Sequence, residues 1–367
     1  MQYRRLPQDG TEISIIGMGT SCLHHTDADE IEKTICLAIE NGINYFDTVV
    51  TKAREFEAMA NVFAKNRDKV YLQQHFGAMY PGDGKYGWTR DLSVIKDTFQ
   101  RQLRLLGTDY TDFGFVHCID EKEDFENVMK NGLWDYMKGL KNGGIIRHLG
   151  CSTHNPEILR RFLDTGLIDM AMFSINPAYD YAVGKFEHAL GDLQSRSRIY
   201  AECEAAGVGL SVMKVLGGGQ LLDARSPFGQ TLTKNQCIQY ALDRPAVLTV
   251  LPGVTSRKTL KEILEYISAE ESEKDYTIIE NLHIKPEEAR CVYCNHCQPC
   301  PKGIDIGMLN KYYDLALVGD RLAFGHYKKQ EIKADACISC GHCEKQCPFH
   351  VKQMQRMHEI AAYFKES

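Results

Sequence analysis

From residue 11 to about residue 270, short apolar runs alternate with longer stretches whose apolar residues recur at intervals of three and four. The short runs are Ile13–Gly19, Asn44–Asp47, Val70–Gln74, Phe113–His117, His148–Ser152, Met170–Asn176, Val208–Met213 and Ala246–Leu251. Their length and their β-branched and aromatic content predict buried strands. The segments Asp29–Asn41, Asp91–Leu106, Asn155–Thr165, Phe186–Ala206, Thr233–Asp243 and Arg257–Ala269 carry the helical period; among Ile95, Phe99, Gln102, Leu103 and Leu106, only Gln102 breaks the stripe. Eight strands alternating with helices predict an α/β chain built as a (β/α)8 TIM barrel. A doubly wound sheet is the alternative, but no strand opens into GxGxxG. The glycines Gly217, Gly218 and Gly219 follow the seventh strand instead, where barrels often bind phosphate.

The charged run Glu270–Asp275 closes this pattern and predicts a division into a barrel, residues 1–275, and a linker with a small domain, residues 276–367. The small domain is predicted to be α-rich, with helices over Ile306–Val318 and Val351–Phe364. It holds CVYCNHCQPCPKG from Cys291 and CISCGHCEKQCP from Cys337, eight cysteines in two sets of four. The second set has the CxxCxxCxxxCP spacing of a bacterial-ferredoxin iron–sulfur run, and the first is one residue tighter. Thiolates two residues apart converge on one cube of iron and sulfide, and the proline turns the chain away after the last ligand. We therefore expect two [4Fe–4S] clusters. In two-cluster ferredoxins the last cysteine of each run serves the other cluster. By that rule Cys291, Cys294, Cys297 and Cys347 hold one, and Cys337, Cys340, Cys343 and Cys300 the other. Zinc is the alternative, because paired CxxC motifs also make tetrahedral zinc sites, although zinc gives no reason for a third cysteine at the same interval followed by Cys-Pro.

The chain has 367 residues, and its 43 Lys+Arg against 49 Asp+Glu give a net charge of −6, which disfavours a nucleic-acid surface. No apolar run approaches the length of a membrane span, and MQYRRLPQDG does not read as a secretory signal. Cys22, Cys36, Cys118, Cys151, Cys203 and Cys237 are scattered singly and read as small buried residues. Cys118 and Cys151 flank strand-end residues, so period-two alternation turns them away from the barrel mouth. A thiol-rich, cluster-bearing chain points to a reducing cytoplasm with little oxygen.

Barrel active sites lie at the C-terminal ends of the strands. There, GINYFDT at 42–48, DYTDFGFVH at 109–117, IRHLGCSTHNPE at 146–157, VMKVLGGGQLL at 212–222 and LPGVTSRKTLKEIL at 251–264 resemble the aldo–keto reductase superfamily, in particular its branch with a C-terminal ferredoxin-like extension. The resemblance implies an NAD(H) or NADP(H) cofactor across the barrel mouth, hydride transfer to a carbonyl of a small-molecule substrate, and an Asp–Tyr–Lys–His group supplying the proton. It places Ser152, Asn176, Lys214, Gly217, Gly218, Gly219, Ser256, Arg257 and Glu262 where the family contacts its dinucleotide. Clusters move single electrons, so a redox partner such as a ferredoxin or a flavoprotein is also expected.

Asp47 and His117 match the family's aspartate and histidine. Lys52 stands where its tyrosine would, and His75 ends the third strand where its lysine would. Lys52 is read either as a proton donor, its pKa lowered by burial and by His75, or as a solvated loop lysine. The segment Phe76–Arg90 reads as a substrate loop, with Tyr80, Tyr86 or Trp88 facing a pocket. Two functional readings follow: an iron–sulfur oxidoreductase of aldo–keto reductase type, or an electron-transfer protein whose barrel has lost hydride transfer.

Overall fold

The computed structural model describes residues 1–49, 53–79, 87–181, 190–281, 291, 293–318, 320–347 and 349–365. Eight parallel strands form one sheet in chain order: β1 Met18–Gly19, β2 Tyr45–Asp47, β3 Tyr71–Phe76, β4 Thr111–Val116, β5 Ile146–Thr153, β6 Met170–Ser174, β7 Gly209–Met213 and β8 Val247–Val250. The sheet closes on itself. Gly17 N–H donates to the Val250 carbonyl and Val250 N–H to that of Ile15, each at 2.9 Å. Closure leaves no open edge, so every strand is buried on both faces, and this is why the runs read as nearly continuous apolar segments.

The barrel interior is filled by Tyr45, Phe113, Phe115, Met170, Met172, Leu248 and Leu251. Leu6 and Ile13 join this layer from an antiparallel hairpin, Tyr3–Arg5 with Glu12–Ser14, so the hairpin plugs the barrel floor. The predicted first strand, Ile13–Gly19, is thus divided between hairpin and barrel. Gly150 lies opposite Phe115 in the β4–β5 register, and a side chain there would come within 2.4 Å of the Phe115 ring.

The helices outside the barrel begin at side-chain caps. Asp27 accepts from Glu30 N–H to start Ala28–Glu40, and Asp91 accepts from Ser93 N–H to start Leu92–Leu106, which ends at left-handed Gly107. Thr233 and Gln236 form a capping box at the head of Lys234–Leu242. Lys122–Lys130 and Leu133–Asn142 are two further helices between β4 and β5.

Beyond residue 290, Ile306–Leu317 packs on the barrel helix Leu193–Ala205, and Gln353–Lys365 packs on Ile306–Leu317. Ile304, Leu309, Ala323, Tyr327, Met357 and Phe364 make a core of their own there, with the Tyr327 and Phe364 rings stacked at 3.9 Å. Cys347, Phe349 and Val351 instead belong to the barrel's core. Phe349 stacks on Tyr181 at 5.6 Å, just beyond the buried carboxylate of Asp180. That carboxylate takes Arg196 Nε at 2.7 Å, Tyr200 OH at 2.7 Å and Tyr240 OH at 2.6 Å. With its charge and lone pairs matched, the group fixes the short helix Pro177–Tyr181 against the barrel helices Leu193–Ala205 and Lys234–Leu242.

Candidate active site and cysteine quartets

Asp47 is the last residue of β2, and His75 comes one residue before the end of β3. Gln73 and His75, two apart on one strand, point the same way into the barrel mouth. His75 Nε2 lies 2.7 Å from Asp47 Oδ1, and the Gln73 amide donates to the same oxygen at 2.9 Å. Tyr45 OH and Ser211 Oγ donate to Gln73 Oε1, which fixes which end of the amide faces Asp47. His117, one residue past β4, meets His75 through Nδ1 to Nδ1 at 3.1 Å. All four residues are buried. Burial first, then the fields of His75 and Arg90, push the His117 imidazole well below its usual pKa.

This geometry brings Asp47, His75 and His117 together; Lys52 lies outside the described residues, as do Tyr80 and Tyr86. Gln73 is a member that sequence reasoning missed. The available signal was the polar run Gln73, Gln74, His75 inside a strand that a barrel buries on both faces. Trp88 pairs with Ala78 in a small hairpin that leaves β3 directly, and it is exposed.

The residues that the resemblance assigns to a dinucleotide ring the same end of the barrel. Ser152 Oγ accepts from Cys118 N–H at 2.8 Å, and the Asn176 amide bridges the Lys214 carbonyl and Tyr179 N–H, each at 2.9 Å. Gly217, Gly218 and Gly219 have φ of 58°, 64° and 87°, and a side chain at Gly218 or Gly219 would meet nothing within 4 Å. Together with Lys214 at φ 61°, they form an open turn in which Gly217 N–H donates to the Lys214 carbonyl at 2.7 Å and Gly219 N–H to the Leu216 carbonyl at 2.9 Å. Ser256 caps the helix Arg257–Leu264. Arg257 is turned onto Glu30 at 2.8 Å, and Glu262 pairs with Lys234.

Cys300, Cys337, Cys340 and Cys343 line one cavity, with Ile304, Ile306, Met354 and Met357 as its apolar walls. The cavity holds about 360 Å³ of empty space, counted to its open edge. Burial first, then the proximity of Cys291, Cys294 and Cys347, raises the pKa of Cys297, so these four form a second neighbourhood against the barrel. Burial, before any neighbouring charge, pushes Cys294 up to about 11 and Cys291 up to about 12. These thiols keep their protons unless a cationic centre takes them. A single tetrahedral zinc ion would hold its thiolates about 3.8 Å apart, from bond lengths of about 2.3 Å. Among the described residues, the metal-type ligands gathered within 4.8 Å of one another are Cys118, Asp120 and His154. Neither cysteine quartet is drawn in to single-ion spacing.

Of the single cysteines, Cys151, Cys203 and Cys237 are buried, Cys36 is exposed, and Cys22 and Cys118 are half-buried. The alternation argument fails for Cys118. The strand ends at Val116, and Cys118 has φ of 46°, so its side chain does not follow the β pleat. Among the described residues no helix is long and apolar enough to cross a membrane.

Comparison with known proteins agrees with the barrel. The chain is 24% identical to an uncharacterized oxidoreductase of Bacillus subtilis over 289 residues, 73% of this chain and 92% of that one. It is 24% identical to an aldo-keto reductase of a Mycobacterium species, over 75% of this chain and 91% of that one. The holo structure of an aldo-keto reductase from Bacillus halodurans superposes with a TM-score of 0.60 at 20% identity, covering 77% of this chain and 96% of that one. The model of the aldo/keto reductase family matches residues 15–284. The chain therefore belongs to the aldo/keto reductase family and is an oxidoreductase of that type.

Proposed function

We propose that this oxidoreductase works on a small organic carbonyl or alcohol with a nicotinamide cofactor, and that residues 276–367 form a ferredoxin-like domain with two [4Fe–4S] clusters that exchange electrons with a redox partner protein. One observation carries the reading: Cys300 of the first run shares a cavity with Cys337, Cys340 and Cys343 of the second. This is the cross-over that paired clusters use.

A bound nicotinamide supplies a hydride, and bound clusters supply single electrons. The open Gly217–Gly219 turn, Lys214, Ser152, Asn176, Ser256, Arg257 and Glu262 would hold the dinucleotide, the space left by the absent side chains at Gly218 and Gly219 giving its phosphates room and the cationic side chains matching their charge. Asp47 accepts from His75 Nε2 and thereby assigns its tautomer. The Nδ1 to Nδ1 contact then has room for one proton between the two rings. With His117 kept neutral, that proton belongs to His117 Nδ1 and is donated to His75. The pair thus stores one exchangeable proton beside the mouth, a role open to it whether or not Lys52 takes part. In the tail, Cys291, Cys294, Cys297 and Cys347 would hold the inner cluster, next to the Phe349–Tyr181 stack, and Cys337, Cys340, Cys343 and Cys300 the outer one.

The second reading, an electron-transfer protein without hydride chemistry, draws on the pairing of His75 with Asp47 where the resemblance expects a lysine. Anaerobic purification followed by iron and sulfide analysis separates the cases. The first reading expects about eight iron atoms per chain and bleaching of the cluster absorbance on adding NADPH or NADH. Clusters that dithionite bleaches in a protein that binds neither nucleotide would favour the second reading. Zinc in place of iron would overturn both.

A further inference from the structure

We propose that Cys118, Asp120 and His154 bind one divalent transition-metal ion of the zinc class at the barrel mouth, through Sγ, Oδ2 and Nδ1. The inference rests neither on the nicotinamide nor on the clusters. Asp120 Oδ2 lies 2.9 Å from His154 Nδ1 and 3.7 Å from Cys118 Sγ. Tetrahedral zinc with bonds of about 2.0 Å to nitrogen and oxygen and about 2.3 Å to sulfur requires about 3.3 Å and about 3.5 Å for those separations. Those two separations are within a few tenths of an ångström of an ion's demands, and all three residues have ligand atoms within 4.8 Å of one another.

The ligand set is also pre-oriented. The other oxygen of Asp120 is held by His154 N–H at 2.6 Å and Thr153 Oγ1 at 3.0 Å, so Oδ2 is the one left facing sulfur and imidazole. Asn155 Nδ2 donates to the Asp120 carbonyl at 2.9 Å. Cys118 is held in the left-handed region, at φ 46°, which is uncommon for a residue with a side chain. Its N–H donates to Ser152 and its carbonyl accepts from Arg90 Nη2 at 3.0 Å, so the surroundings impose the conformation from both sides. Such strain collects at functional sites because the fold must hold it.

Three protein ligands, one each of sulfur, oxygen and nitrogen, are the number of a catalytic zinc site, whereas structural sites use four. Cys118 and Asp120 are only half-buried, which leaves a coordination position for water or a substrate oxygen. Binding releases the Cys118 thiol proton and requires the His154 ring proton to sit on Nε2, which leaves the Nδ1 lone pair for the ion. The site joins the loops after β4 and β5, and Cys118 directly follows His117, so the ion would face the same mouth as the Asp47–His75–His117 group.

The test is an anaerobic titration of the full-length protein with Co²⁺, a zinc surrogate that reports thiolate ligation by charge-transfer absorption. Wild type should take up one Co²⁺ more per chain than Cys118→Ser, with a thiolate band that the variant lacks and an unchanged iron content. His154→Gln should weaken that uptake at least tenfold and provides the same comparison if Cys118→Ser folds poorly. Titrations that superimpose for wild type and the folded variant overturn the proposal and leave Asp120–His154 as a plain ion pair. That comparison counts this site alone, whatever the eight tail cysteines hold.

Discussion

Acidification between pH 6.5 and 5.5 is the window in which His117 governs barrel stability. Its ring is buried and meets His75 Nδ1 to Nδ1 at 3.1 Å, a contact with room for one proton. Burial, then the fields of His75 and Arg90, hold its pKa well below the usual value of 6.5. In the unfolded chain the same imidazole titrates near 6.5, so in this window the unfolded state binds the extra proton and the folded state does not. Stability therefore falls as pH falls, and the loss stops only below the folded pKa. With the folded pKa far beneath the window, the cost is about 0.4 kcal/mol at pH 6.5 and about 1.4 kcal/mol at pH 5.5, a difference of about 1 kcal/mol. For a domain of this size that is about 2 °C in Tm. The assay compares thermal unfolding of wild type and His117→Gln at both pH values. Titrating groups that do not touch His117 cancel in the difference, which reports the coupled His117–His75 pair, and wild type should lose about 2 °C more than the variant. Equal losses would refute the reasoning, because His117 would then protonate in the fold as readily as in the unfolded chain.

Three further outcomes follow from packing. Gly150→Ala places a methyl group 2.4 Å from both the Phe115 ring and the Met170 carbonyl, so Tm should drop by several degrees, at a cost of about 1–3 kcal/mol; an unchanged Tm would show that β4 and β5 can part. Phe349→Ala removes the ring stacked on Tyr181, at a cost of about 3 kcal/mol, and limited proteolysis should then release the tail while the barrel resists. Gln74→Leu replaces an amide whose nitrogen and oxygen are both buried without a partner among the described residues, and it should raise stability by about 1 kcal/mol in the same unfolding assay.

What the sequence revealed divides along a physical line between local and non-local signals. Strand and helix periods are local, and eight repeats of one unit leave little choice but closure, so the barrel could be read from spacing alone. Ile13–Gly19 was over-extended because Glu12–Ser14 pairs with Tyr3–Arg5, a contact decided by what fills the barrel floor. Lys122–Lys130 carries the stripe Phe125, Val128 and Met129 over only nine residues, too short a run to be told from a loop by period alone. Asp47 and His117 stood out because strand ends are where barrels hold reactive groups. Gln73 did not, because its meaning depends on Tyr45, Ser211 and Asp47 arriving around it from other strands.

Cys118 makes the division clearest. Alternation assigns a side only while the backbone stays extended, and the positive φ that turns this cysteine onto Asp120 is imposed by Ser152 and Arg90 from distant parts of the chain. The cysteine runs behave in the opposite way. Their spacing alone predicts how all eight group into two sets of four, and the fold adds that Cys294 of the first run and Cys347 of the second pack against the barrel core. A residue's chemistry is thus legible in the sequence when its partners lie within one turn of chain. Otherwise it emerges only once the topology has gathered them, as it has for Gln73 at the mouth and for Asp120 and His154 beside it.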